Sequence, residues 1–170
     1  MPRTSSRPLI QKIRSRQWLV QAVRRLKRQG KRVVFTNGCF DLLHVGHVTL
    51  LERAKRLGDV LIVGVNSDRS VRRLKGPTRP IFPQRDRAAL VAALASVDYV
   101  TIFHEETPWQ LIASLQPQVL VKGADWHTTE IIGQDLLTRS GGRVYRLPLV
   151  DGYSTTQLVS RIRRLASKRA

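Results

Sequence analysis

The sequence contains little cysteine and no long apolar run. Its one cysteine, Cys39, cannot form a disulfide within the chain and cannot supply a cysteine-rich zinc site. No apolar stretch approaches the roughly 20 residues that a membrane-spanning helix needs, and the N-terminus lacks the apolar stretch of a secretory signal. These absences exclude a disulfide scaffold. They predict a protein of the reducing cytoplasm that has no membrane partner.

Acidic residues are also scarce, since 12 Asp and Glu stand against 30 Lys and Arg, for a formal net charge of +18. The excess lies at the ends, because residues 1–32 and 157–170 hold eleven and five basic residues and no acidic ones. Basic ends either bind nucleic acid or form solvated helix faces. We interpret these as solvated faces and residues 1–14 as a flexible basic tail. A nucleic-acid-binding module remains the alternative from another class, although no RNA-binding aromatic motif or helix-turn-helix is found.

The chain of 170 residues, 42% of them hydrophobic, suits a single domain over residues 1–170. Short β-branched and apolar runs predict five strands, at Arg32–Thr36, Val60–Val65, Tyr99–Phe103, Gln118–Val121 and Arg143–Leu147. Helical spacing predicts helices over 15–29 and 48–57, one opened by Pro83, one over 107–114 capped by Thr107, and one after Ser154. Such alternation predicts a doubly wound, five-stranded parallel α/β sheet with ligands at the carboxyl ends of its strands.

The loop after the first predicted strand, residues 36–47, reads TNGCFDLLHVGH. It matches neither the dinucleotide fingerprint nor the P-loop. His44 and His47 are three residues apart at a predicted helix start, so both imidazoles project to one side and can donate to a phosphate. Gly46 between them leaves room for a phosphate to approach the backbone. A zinc site is the alternative, but a third ligand at suitable spacing is absent.

Basic and hydroxyl side chains follow the other predicted strands. Arg72 and Lys75 lie in a predicted loop after the second strand, and Lys122 directly follows the fourth. We expect Arg72 and Lys122 to contact a substrate. Ser154, Thr155 and Thr156 stand at the start of the last predicted helix, where free N–H groups favour phosphate.

The segment GCFDLLHVGH resembles the G-x-F-D-x-x-H-x-G-H signature of the cytidylyltransferase-like nucleotidyltransferases, and Tyr153-Ser154-Thr155-Thr156 resembles their second signature. The fold implied is Rossmann-like. The segments VGVNSDRSVRRLKGPTRPI, FHEETPWQLI and LVKGADW are similar to the heptose 1-phosphate adenylyltransferase branch. The resemblance implies transfer of AMP from ATP to D-glycero-β-D-manno-heptose 1-phosphate, with Mg²⁺ and release of pyrophosphate. It also implies a homodimer and a stand-alone enzyme supplied by a separate heptose kinase.

The resemblance also implies roles for individual residues. His44 and His47 would hold the triphosphate, and Lys75 would neutralise phosphate charge. Asp41 would order the loop or hold magnesium. The remaining implied nucleotide contacts are the backbone at Cys39 and Phe40, Asp125 beside the base or ribose, and Ser154, Thr155 and Thr156 in the phosphate cradle.

Two departures from the family patterns bear on the choice of nucleotide. Leu149 stands where the cytidylyltransferases carry an arginine, which favours the heptose branch. Trp126 within KGADW resembles the cytidylyltransferases instead. A cytidylyltransferase acting on glycerol 3-phosphate or another phosphorylated alcohol therefore remains the alternative within the class.

Overall fold

The computed structural model describes residues 8–123, 131–148, 150 and 152–167. It contains one sheet of five parallel strands in the order β3-β2-β1-β4-β5. The strands are β1 Val33–Gly38, β2 Val60–Asn66, β3 Tyr99–Phe103, β4 Val119–Gly123 and β5 Arg143–Leu147. The predicted five-stranded parallel α/β sheet is confirmed. Each strand begins within one residue of its predicted start.

Helices connect the strands and flank the sheet. They are α1 Leu9–Lys12, α2 Arg16–Arg28, α3 Val45–Lys55, α4 Asp68–Lys75, α5 Gln84–Ala93, α6 Trp109–Leu115, α7 Gln134–Arg139 and α8 Thr155–Ser167. Ser15 caps α2 as predicted, since its hydroxyl accepts from the Trp18 N–H. The prediction that Thr107 caps α6 is wrong, because that helix begins one residue later, after Pro108. No described helix is both long and apolar enough to cross a membrane.

The segment predicted as a loop around Arg72 and Lys75 is the helix α4 instead. Ser67 caps it by accepting from the Ser70 N–H, and Val71 is its one buried apolar residue. The helix has only eight residues, and its apolar side chains are Val71 and Leu74, a pattern too short for helical periodicity to be recognised in the sequence. Arg72 and Lys75 therefore lie in the last turn of a helix.

Two apolar clusters form the core, one on each face of the sheet. Leu51 and Ala54 of α3 pack on one face with Ala88 and Val91 of α5. The other face is covered by α2, α6 and α7, through side chains that include Leu19, Leu111 and Leu137. Strands β1 and β2 are covered on both sides, and most of their side chains are buried. A ligand can therefore reach these strands only at their ends.

Residues 8–14, predicted as part of a flexible tail, are structured. The helix α1 packs against α5, and Lys12 donates from Nζ to the carbonyl of Leu94 at 3.1 Å. Ile13 then pairs in parallel with Val100, and the Arg14 N–H donates to the Val100 carbonyl at 2.9 Å. Since β3 is an edge strand, this segment covers part of an otherwise unpaired edge.

The Arg14→Pro variant tests this edge pairing, because proline has no N–H to donate to Val100. Ile13 is already extended, at φ −84° and ψ 117°, so a following proline is compatible with its backbone. We expect the free energy of unfolding to fall by about 1–3 kcal/mol beyond the loss in Arg14→Ala. The alanine variant is the matched control, since it keeps the N–H but loses the Arg14 contact with the Trp18 ring. Equal urea midpoints for the two variants would contradict the pairing.

Candidate active site

The reversal of strand order between β1 and β4 places a crevice at their carboxyl ends. Lys122 lies there as expected, near the end of β4, and its Nζ donates to the Asn37 side-chain oxygen near the end of β1. The pair brings an amide and an ammonium group to the edge where ligands bind in such sheets.

The loop between β1 and α3 has an unusual backbone. Phe40 and Leu42 adopt positive φ values of 49° and 51°, which residues other than glycine rarely adopt. Phe40 is nevertheless 3% exposed, and its ring lies 5.2 Å from the ring of His47. Strained backbone persists only where its surroundings hold it, and it is frequent at binding sites.

Asp41 holds this loop in place. Its carboxylate, 1% exposed, accepts from the N–H groups of Ile81 at 2.9 and 3.0 Å and of Phe82 at 3.1 Å. The Arg79 guanidinium forms an ion pair with it, at 2.9 Å from Nε to Oδ2. Both carboxylate oxygens are therefore engaged, which fits the loop-ordering role and does not fit the magnesium role. Across the described residues, no group of three or more His, Cys, Asp or Glu side chains could hold a metal.

The two histidines form a stacked pair at the start of α3. Their ring centroids are 3.8 Å apart with an interplanar angle of 25°. His44 occupies the N-cap position but makes no side-chain hydrogen bond there. The Nδ1 atoms of both rings are buried and have no hydrogen-bond partner among the described residues. Buried polar atoms are normally paired, so this pair indicates a place where a ligand supplies the partner.

Burial keeps both imidazoles neutral near pH 7. It lowers the pKa of His44, and it lowers the pKa of His47 to about 4. The proximity of His44 lowers the His47 pKa further, while the negative charge of Asp41 opposes the shift. In the free protein the pair therefore offers neutral N–H donors, one on each ring.

The neighbours of Gly46 give a second reason for glycine at this position, beside the predicted room for a phosphate. A Cβ at this position would lie 3.0 Å from Cε1 and Nδ1 of His44 and 3.4 Å from Cβ of Tyr153. The space beside the glycine is thus filled by the imidazole and by the approach to α8. The absence of a side chain at Gly46 allows the two helix starts to come together.

The N-terminus of α8 joins the same site. Ser154 caps the helix by accepting from the Gln157 N–H at 3.2 Å. Thr155 donates from its hydroxyl to the backbone carbonyl of Asp41 at 2.7 Å, while Thr156 is exposed. The two sequence motifs are therefore in direct contact, and the N-termini of α3 and α8 present their positive dipole ends together.

The remaining predicted residues are less closely joined to this centre. Lys75 and Arg72 are exposed in the last turn of α4. Burial raises the pKa of the Cys39 thiol, and the positive charge of Lys75 acts against that rise, which places Lys75 within electrostatic reach of the loop. The Arg72 side chain makes no hydrogen bond or ion pair within the described part of the chain, while its carbonyl accepts from the Gly76 N–H at 2.9 Å. Asp125 lies outside the described residues.

Arg87 of α5 is a residue that the sequence reading did not select. It is fully buried, and its guanidinium donates to the carbonyls of Cys39 at 2.5 Å, Asn66 at 2.8 Å and Phe82 at 2.9 Å. It also forms an ion pair of 2.7 Å with Asp68. One signal could have revealed it, since Arg87 lies four residues before the buried Val91 and so on the apolar side of α5.

Known proteins are similar in sequence to most of this chain. Bifunctional protein HldE of Syntrophotalea carbinolica is 54% identical over 151 residues, which is 89% of this chain and 31% of that protein. Bifunctional protein HldE of Magnetococcus marinus is 55% identical over 142 residues, which is 84% of this chain and 29% of that protein. The chain thus spans about a third of the length of these relatives.

A solved structure and a family model agree with this likeness. The lipopolysaccharide core biosynthesis protein from Thermoplasma volcanium superposes with a TM-score of 0.60 at 32% identity, covering 74% of this chain and all of that one. The model of the cytidylyltransferase-like family matches residues 35–162, a range that holds both the histidine pair and the start of α8. With its five-stranded parallel sheet and its H-x-G-H helix start, the chain belongs to the cytidylyltransferase-like family.

Proposed function

We propose that the chain is an adenylyltransferase that transfers AMP from ATP to D-glycero-β-D-manno-heptose 1-phosphate, giving ADP-heptose and pyrophosphate. The observation that carries the nucleotidyl transfer is the stacked His44–His47 pair, whose buried Nδ1 atoms are unpaired at two converging helix N-termini. The heptose substrate is supported by the sequence resemblance, by the HldE relatives and by a solved relative of lipopolysaccharide core biosynthesis.

The proposed reaction is an in-line displacement at the α-phosphorus of ATP. An oxygen of the sugar phosphate forms the new P–O bond, and the bond to the β-phosphate oxygen breaks, so that pyrophosphate leaves with the electron pair. The attacking phosphate is already anionic, which is why no general base is required. Catalysis then consists mainly of positioning and of stabilising the charge that moves onto the leaving group.

The histidine pair and the two helix starts suit that task because they offer donors without a permanent charge. Neutral imidazole N–H groups and the N-termini of α3 and α8 would receive the triphosphate oxygens. Magnesium would enter with ATP, held by the phosphates, since the Asp41 carboxylate is already engaged. We further propose that Lys75 neutralises phosphate charge and that Arg72 and Lys122 contact the sugar phosphate.

We further propose where the substrate of this reaction comes from and where its product is used. A kinase acting on the same heptose would supply the sugar 1-phosphate, and ADP-heptose would serve lipopolysaccharide core or related glycan synthesis. Because ATP and sugar phosphates are cytoplasmic metabolites, we place the reaction in the cytoplasm. We also propose that the enzyme acts as a homodimer.

Pyrophosphate release tests the choice of substrates. We expect release with magnesium, ATP and heptose 1-phosphate and not with CTP, GTP, UTP or glycerol 3-phosphate. Release only with CTP and glycerol 3-phosphate would favour the cytidylyltransferase alternative. Release with no pair, together with salt-sensitive binding to DNA or RNA, would favour the nucleic-acid-binding alternative.

The two histidines are tested by His44→Ala and His47→Ala. We expect each to lower kcat by about 10²–10³, the usual cost of removing one donor from a developing anion, while the circular dichroism spectrum stays unchanged. His104→Ala is the matched control, because His104 is exposed at the end of β3 and is not part of the site. Near-normal turnover in both site variants would contradict the proposed role.

The ionisation of His47 gives a test that is independent of turnover. In the free protein its ring should titrate near its lowered pKa of about 4. A bound pyrophosphate places negative charge beside the ring, which favours the protonated form and raises the pKa. We expect an NMR titration of the imidazole carbons to show that rise for His47. If saturating pyrophosphate leaves the His47 titration unchanged, then phosphate binds elsewhere.

A further inference from the structure

The peptide between Cys39 and Phe40 is oriented by a buried side chain. Nη1 of Arg87 donates to the Cys39 carbonyl at 2.5 Å. This peptide is trans, so the Phe40 N–H points in the opposite direction from that carbonyl. Among the described residues the Phe40 N–H donates to no acceptor. Because the hydrogen bond from Arg87 fixes the Cys39 carbonyl on one side of the peptide, the Phe40 N–H is fixed on the other side and is free to donate to a ligand.

Arg87 also holds the loop by a second route. Its Nε donates to the Phe82 carbonyl at 2.9 Å, and the Phe82 N–H in turn donates to the Asp41 carboxylate at 3.1 Å. The residues on both sides of Phe40 are thus attached to the same guanidinium, one directly and one through a neighbouring loop. Phe40 lies between them with a positive φ and packs against His47.

We propose that Arg87 is a positioning residue for nucleotidyl transfer, which holds the Phe40 N–H towards the bound phosphates and Phe40 itself against His47. The inference rests on the proposed function. It requires arginine in particular, because the planar fork reaches three carbonyls and Asp68 at once. A lysine ammonium is a point donor on a flexible stem and cannot keep four acceptors in place.

A purely structural Arg87 would behave differently. Removing it would lower stability, because buried carbonyls would lose their hydrogen-bond donor. Each molecule that still folds would keep the normal kcat. A positioning Arg87 loses rate in the folded molecules as well. The two roles are separated by comparing the site variant with another variant of similar stability loss.

Arg87→Lys is the test, and Leu111→Ala is its matched control. Leu111 is buried on the opposite face of the sheet, in α6, so its truncation lowers stability without touching the loop. Assays are run at a temperature where circular dichroism shows both variants folded. We expect Arg87→Lys to lower kcat by about 100-fold with a smaller change in KM and Leu111→Ala to retain kcat. Equal kcat in the two variants would overturn the proposal.

An amide readout keeps the proposal testable even if Arg87→Lys does not fold. In the wild-type protein we expect pyrophosphate to shift the ¹⁵N–¹H resonance of Phe40 together with the His47 ring signals. A His47 response without a Phe40 response would overturn the positioning role. Failure of the proposed function is recognised separately, since it appears as no pyrophosphate release by the wild-type protein with any substrate pair.

Discussion

The buried carboxylate of Asp41 is the contact on which the rest of the site depends. It binds the N–H groups of Ile81 and Phe82 and pairs with Arg79, while the carbonyl of the same residue accepts from Thr155. One residue therefore joins three segments that are far apart in the sequence. A charged group can be buried in this way only because nearly every acceptor position is filled.

Burial also determines the electrostatic character of the histidine pair. A cationic imidazole would be poorly solvated beside a second ring and the apolar side chain of Phe40, so the neutral form is favoured. Neutral donors suit a site that must release a highly charged product, because a permanent charge would hold pyrophosphate as strongly as it holds the transition state. The family chemistry and the buried position of the rings are thus consistent with each other.

The sequence predicted the strands well, because a strand buried on both faces is a short continuous apolar run such as VLIVGV in β2. The H-x-G-H motif was also readable, since its position after β1 and before α3 is local. Three features were not predicted: the helix α4, the β-bridge between Ile13 and Val100, and the hydrogen-bond network of Arg87. The Ile13 pairing and the Arg87 network depend on contacts between segments distant in sequence, which no local periodicity encodes. The helix α4 was missed because it is too short to show a helical period. The closeness of His44 and Tyr153 to Gly46 was not predicted either, because it arises only in the folded chain.

The start of α3 carries a consequence for how ligand and stability are linked. A helix leaves its first N–H groups without partners, and a side chain at the N-cap position usually accepts from one of them. His44 occupies that position and makes no such bond. An anion bound there would act as the cap that the chain itself does not provide. Its binding would then stabilise the native state according to its concentration relative to its dissociation constant, so the thermal resistance of this protein would follow the nucleotide supply of the cell.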